Sequence, residues 1–246
     1  MKILSIGNSF SQDATRYLHR LAASNGDNIK TVNLYIGGCP LRLHYFNVLE
    51  DRRSYFMEFN GENTAFQVSI KDALMSDEWD YVTLQQVSGN APRYSTYQPY
   101  LDTVAAYVRK YAPQAKILMH QTWAYEDGSE RLTVKFHYEK SIDMLNEIIP
   151  SYKKAAEAIG AVGIIPSGQA MMRLHENGIE KVHRDSFHAS FGLGRYTLAL
   201  TWYGYLTGKD VSEVPFSALD EAATEEEFAI AKRSVAEVLA ETGTLR

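Results

Sequence analysis

The chain has a single cysteine, Cys39, among its 246 residues. One thiol excludes an intramolecular disulfide framework and a cysteine-rich zinc site. A basic excess is also missing: 25 Lys and Arg stand against 30 Asp and Glu, a net charge of −5, with no long block of either sign. That balance is poorly suited to gripping phosphate backbones, so nucleic acid is not an expected partner. No apolar run approaches the about 18–20 residues that a membrane helix needs. Met1-Lys2 leads directly into Ile3-Leu4-Ser5-Ile6-Gly7, without the apolar length or small-residue cleavage site of a secretory signal. The expectation is a soluble, cytoplasmic protein with no membrane partner. No repeat, low-complexity tract or Pro/Gly/Ser linker divides the chain, which is long enough to bury a core as one domain.

What the sequence does contain is an alternation of short β-rich runs and amphipathic stretches. Residues 2–7 read as a buried strand broken by Gly7-Asn8-Ser9, and Tyr17, Leu18, Leu21 and Ala22 fall at helical spacing within 13–23. Further strands are expected at 29–36, 81–84, 116–119 and 162–165. Helices are expected at 97–111, 132–149, 152–159, 168–175, 193–206 and 224–241. Pro150 should kink or end the helix before it, and Thr224 with Glu227 has the form of a capping box. Residues 52–68 hold two aromatic runs around Asn60-Gly61, a hairpin signal. This segment is read as an insertion that could be a lid, a dimer surface or ordinary packing. The β runs separated by helices imply a single three-layer α/β/α domain over 1–246, a doubly wound parallel sheet of about five strands.

In such sheets ligands bind beyond the carboxyl ends of the strands, where strand order reverses. The loops there carry unusual residues. In Gly7-Asn8-Ser9-Phe10-Ser11, a serine at a strand-to-helix junction can expose its hydroxyl and offer its own N–H as an oxyanion donor; alternatively Ser9 or Ser11 only caps the first helix. Gly37-Gly38-Cys39-Pro40 supplies glycines whose N–H groups can approach a ligand, or simply a tight turn, with Cys39 read as a small buried hydrophobe. Gln85-Gln86-Val87-Ser88-Gly89-Asn90 places two amides at a strand end, where they must find partners, either a substrate or a neighbouring loop. Asp185 and His188, three apart, can meet so that the carboxylate holds the imidazole. A metal site built on His183, Asp185 and His188 lacks an evident further ligand, so no metal is expected.

These segments, in this order, resemble the SGNH hydrolases, the GDSL-like esterase and lipase superfamily, over nearly the whole chain. Gly7-Asn8-Ser9-Phe10-Ser11 stands where that family has Gly-Asp-Ser-x-Ser, 33–38 resembles its second block, and Asp185-x-x-His188 its last. The resemblance implies a flavodoxin-like SGNH fold, Ser9 as nucleophile, Asp185 and His188 as acid and base, and the N–H groups of Ser9 and Gly38 as oxyanion donors. Asn8 replaces the family's Asp at a position that is not catalytic. The third block departs further: where Gly-x-Asn is expected, the third donor falls either on Asn90, after a small insertion, or on Gln85 or Gln86. A glutamine is preferred, as in a poorly characterised bacterial branch that the whole series resembles.

The implied chemistry is ester hydrolysis through an acyl-enzyme, with no cofactor. His44, Tyr45, Trp123, Tyr125, His137 and Tyr138 are read near the rim, His44, Trp123 and Tyr125 being the candidates for substrate contact; each could instead be a core or surface side chain. Such residues suit a sugar ring, and the resemblance to a superfamily many of whose members deacetylate carbohydrates implies a small polar ester as partner, first of all an acetylated carbohydrate. The alternatives are a lipase, thioesterase or arylesterase with the same residues, or a non-catalytic carbohydrate-binding protein. Oligomeric state is not legible.

Overall fold

The computed structural model describes residues 1–245. In chain order the elements are β1 (Lys2–Gly7), α1 (Ser9–Thr15), α2 (Leu18–Ser24), β2 (Lys30–Tyr35), α3 (Leu41–Leu49), β3 (Tyr55–Phe59), β4 (Glu62–Val68), α4 (Ile70–Met75), β5 (Tyr81–Leu84), α5 (Tyr100–Tyr111), β6 (Lys116–His120), α6 (Ser141–Ile159), β7 (Gly163–Ile165), α7 (Ser167–Glu176), α8 (Leu193–Thr207) and α9 (Glu225–Thr242). A π-helical turn, Arg131–Lys135, precedes α6.

The strands form one sheet in the order β4-β3-β2-β1-β5-β6-β7. β1, β2, β5, β6 and β7 run parallel, as expected of consecutive apolar strands joined by helices. The sheet has seven strands rather than about five, because the 52–68 segment adds two strands to its edge. Asn60 (φ 51°) and Gly61 (φ 84°) form the tight hairpin turn, and β3 then pairs antiparallel with β2. The hairpin extends the sheet edge and does not close over the strand ends. A side chain at Gly61 would overlap the Arg16 backbone, so the turn also fixes how closely the hairpin meets the end of α1.

Two sets of helices cover the sheet: α1, α2, α7, α8 and α9 pack together, as do α3, α4, α5 and α6. Residues 193–206 of α8 are all buried, which accounts for a helix with apolar residues on every side. The helix expected over 13–23 starts earlier, at Ser9, and breaks between Thr15 and Leu18. The helix expected from 132 begins only at Ser141, and Pro150 neither ends it nor splits it. Met144, Leu145 and Ile148 before the proline, and Tyr152, Ala155 and Ile159 after it, bury one continuous face. That burial outweighs the single backbone bond the proline removes. The sheet order reverses between β1 and β5, and the loops that follow β1, β2, β5 and β6 meet there.

Candidate active site

Ser9 owes its position to Asn8. Asn8 leaves β1 in an extended conformation and caps α1: its Oδ1 accepts from the Phe10 N–H at 3.0 Å. Ser11 completes the box by accepting from the Asn8 N–H at 3.1 Å. Asn8 also accepts from Gln85 Nε2 at 2.8 Å and donates to the Cys39 carbonyl at 3.1 Å, so one amide ties the loops after β1, β2 and β5. Capping thus falls to Asn8 and Ser11. The Ser9 hydroxyl is left for another partner, and the Ser9 N–H, in the first turn, has no intrahelical acceptor.

That partner is His188. Between His183 and Ala189, which form an isolated bridge, the chain turns tightly, with Ser186 at φ 72°. The Asp185 carboxylate accepts from the His188 N–H at 2.9 Å and from ring Nδ1 at 2.7 Å. A carboxylate only accepts, so the proton lies on Nδ1 and the Nε2 lone pair faces Ser9 Oγ, 2.8 Å away. Burial opposes the Asp185 charge, but hydrogen bonds from the His188 ring and from the His188 and Phe187 backbone hold the carboxyl below its ordinary range.

The loop is braced from two sides. Trp123 donates from Nε1 to the Phe187 carbonyl at 2.8 Å while stacking on Phe10, and the Glu126 N–H donates to the Ser186 carbonyl at 2.8 Å. On the other side Arg184 meets the fully buried Asp13 of α1 at 2.9 Å; Arg195 of α8 holds the same carboxylate at 2.8 Å. This Asp13–Arg184–Arg195 clamp fastens the His188 loop to the helix that begins with Ser9. Reading the sequence passed over it, although Arg184 adjoins Asp185, because its partners lie far apart in the chain.

Ser9 and His188 open on a cavity of about 430 Å³. Gly38 (φ 63°) lies at its edge, in a backbone conformation that glycine favours. Tyr35, Tyr125, Phe136 and Phe187 give it aromatic walls, and Gln12, Arg131, Lys135 and Arg184 polar ones. Gly89 is part of the wall because a side chain there would press on the Phe136 ring. None of the three amides considered for a third oxyanion donor lines the cavity. Gln85 bridges Asn8 and His120; Gln86 accepts from the Leu41 and Val87 N–H groups and donates to the Thr96 carbonyl; Asn90 accepts from Arg93. Ser88 and Gly89 of the same loop stand at the cavity instead.

Of the side chains read as substrate contacts, only Tyr125 lines this cavity, its hydroxyl 2.9 Å from that of Ser88. His44 is fully buried against the Tyr55 hydroxyl at 2.8 Å, and burial lowers its pKa to about 3. Trp123 is a buried brace. Tyr45 packs against Phe46 and Tyr100, Tyr138 bonds Glu147, and His137 is exposed outside the cavity. Burial pushes the Cys39 thiol up to about 12, in keeping with a small buried side chain. The Nε2 of His183 donates to the Ala124 carbonyl at 3.1 Å, which turns that nitrogen away from Asp185 and His188. Among the described residues no helix is long and apolar enough to cross a membrane.

A serine hydroxyl bonded to a histidine that a carboxylate orients, at the switch point of a doubly wound sheet, is the arrangement of an SGNH hydrolase fold. Solved structures share the fold. A protein from Slackia heliotrinireducens, provisionally named an SGNH hydrolase, is 23% identical with a TM-score of 0.58, over 82% of this chain and 97% of that one. A variant of an acetyl-xylooligosaccharide esterase from Geobacillus is 16% identical with a TM-score of 0.52, over 87% and 94%. The chain itself belongs to the DUF4886 family, a domain of unknown function whose family model matches residues 2–237. A DUF4886 protein from Bacteroides uniformis is 33% identical, with a TM-score of 0.91, over 99% of this chain and 96% of that one. No curated protein matches.

Proposed function

We propose that the protein is a serine esterase that hydrolyses small polar carboxylic esters through an acyl-enzyme, with an acetylated carbohydrate as the substrate class. The observation that carries this reading is the unbroken chain from Ser9 Oγ to His188 Nε2 at 2.8 Å and from Nδ1 to Asp185 at 2.7 Å, opening on the cavity. His188 takes the proton as Ser9 attacks the ester carbonyl, and Asp185 balances the imidazolium that forms. The N–H groups of Ser9 and Gly38 hold the developing oxyanion, each such donor being worth about 10²–10³ in rate. His188 returns the proton to the leaving alcohol, then activates water to release the acid.

The aromatic and polar walls of the cavity favour a sugar ring over a long acyl chain. The fold neighbour named an acetyl-xylooligosaccharide esterase points the same way. The mechanism calls on no cofactor. The lone unpaired thiol fits work in the reducing cytoplasm.

The test is labelling with a fluorophosphonate, followed by peptide mass spectrometry. An adduct on Ser9, absent in His188→Ala, is expected, as is acetate release from acetylated sugars in preference to hydrolysis of longer acyl esters. Preference for long acyl chains would move the assignment to a lipase or thioesterase. A folded protein that neither labels nor turns over an ester would move it to a binding protein.

A further inference from the structure

The charged part of the cavity lining is cationic. Arg131, Lys135 and Arg184 line the cavity, and among the described residues no carboxylate does. Arg184 already has a counter-ion in Asp13. Arg131 and Lys135 form no ion pair with any described carboxylate, although acidic residues outnumber basic ones by 30 to 25 in the whole chain. A local positive wall in a net acidic protein concentrates anions at the site.

Two further observations locate the two cations at the cavity. Both cations belong to the π-helical turn Arg131–Lys135, a rare conformation that recurs at functional sites. Each side chain also lies on an aromatic ring of the cavity. The Arg131 guanidinium stands 3.6 Å from the Phe187 ring centroid, and the Lys135 ammonium 5.7 Å from that of Phe136. Phe187 in turn touches His188, their ring centroids 3.8 Å apart, so the cationic wall is in register with the reacting atoms.

We propose that the ester taken by this cavity carries an oxyanionic substituent, held by Arg131 and Lys135, on the alcohol whose acyl group faces Ser9. Acetylated acidic sugars, whether uronates or sugar sulfates, are the substrates with this chemistry. The inference rests on the esterase reading and deepens it. Guanidinium and ammonium donors to an oxyanion make charge-assisted hydrogen bonds, about twice as strong as neutral ones.

The experiment compares three esters with the same acetyl group: acetylated methyl glucoside, the corresponding methyl glucuronoside and the 6-sulfate of the first. The expected result is a kcat/KM at least about tenfold higher for an anionic ester than for the neutral one. The ratio should fall as ionic strength rises, and should fall in Lys135→Gln and Arg131→Gln mainly through KM. The uronate and sulfate arms tell the two sources of charge apart. Calorimetry on Ser9→Ala with the same three compounds reads the preference without turnover. Turnover or Ser9 labelling with no preference for charge overturns the anionic substrate and leaves the esterase standing. Absence of labelling and turnover, with Ser9→Ala still preferring the anionic sugars, overturns the esterase and keeps the charge recognition. Equal or absent binding of all three overturns the inference.

Discussion

Asn8 shows how much a single amide decides. Its oxygen accepts from Phe10 and Gln85 and its nitrogen donates to the Cys39 carbonyl, leaving only one orientation that satisfies all three. Asn8→Asp would set a carboxylate oxygen against that carbonyl. It is expected to cost about 1–3 kcal/mol, read from urea denaturation. Activity should fall too, because the displaced turn carries Ser9. Gly7→Ala acts on the same turn, since the new methyl would overlap the Ser11 hydroxyl and stand 2.9 Å from Gln85 Oε1. Turnover should drop by an order of magnitude or more, on the scale of a small misplacement near the chemistry. Ser9→Ala, by contrast, is expected to remove turnover while leaving the melting temperature within a few degrees. At this scale the residues of two short contiguous motifs were legible in the sequence, since a Ser at a junction and an Asp-x-x-His turn announce their own neighbours. The roles of Gln85 and Gln86 were not, because their partners His120, Thr96 and Leu41 are supplied by tertiary contacts.

Among the elements, α6 departs most from what its residues suggest. Its proline lies on the exposed side, so the helix keeps its buried face intact and bears only the local loss. Pro150→Ala should therefore stabilise the protein by about 1–3 kcal/mol, seen as a rise of several degrees in melting temperature. At α9 the expected capping box is present, with Thr224 accepting from the Glu227 N–H at 3.2 Å and Glu227 accepting from the Thr224 N–H at 2.7 Å. Thr224→Ala should cost about 1 kcal/mol by the same measurement. Local signals thus read well where they act within a turn. The hairpin was visible from Asn60-Gly61, yet its pairing with β2 was not, since nothing in its own residues names the strand it joins. The π-helical turn was likewise absorbed into a longer expected helix, because Leu132 and the α6 face share a helical period.

For the molecule as a whole, buried imidazoles set the response to acid. Burial lowers His44 and His120 to about 3 and His183 to about 4, from 6.5. As pH falls below about 6.5 the unfolded chain takes up these protons while the folded chain does not, so stability is lost progressively between about 6.5 and 3. Each of the three groups withdraws stability as pH falls through its own window, and together they account for a substantial share of a typical total. The midpoint of urea denaturation should fall from pH 7 to pH 5. His120→Gln, which retains a donor for Gln85, should reduce that slope by about one proton. A stability that stays flat over this range would contradict the burial of these rings.

The site joins distant parts of the chain: Ser9 and His188 are 179 residues apart, and the Asp13 clamp joins segments 171 and 182 residues distant. During synthesis Ser9 therefore emerges from the ribosome long before His188 does. On the proposed mechanism an incomplete chain is chemically silent towards esters, and a mutation that slows the docking of α8 delays the onset of activity in step with the completion of folding. Acetate release, followed from the start of refolding, would serve as a clock for the last long-range closure in this protein.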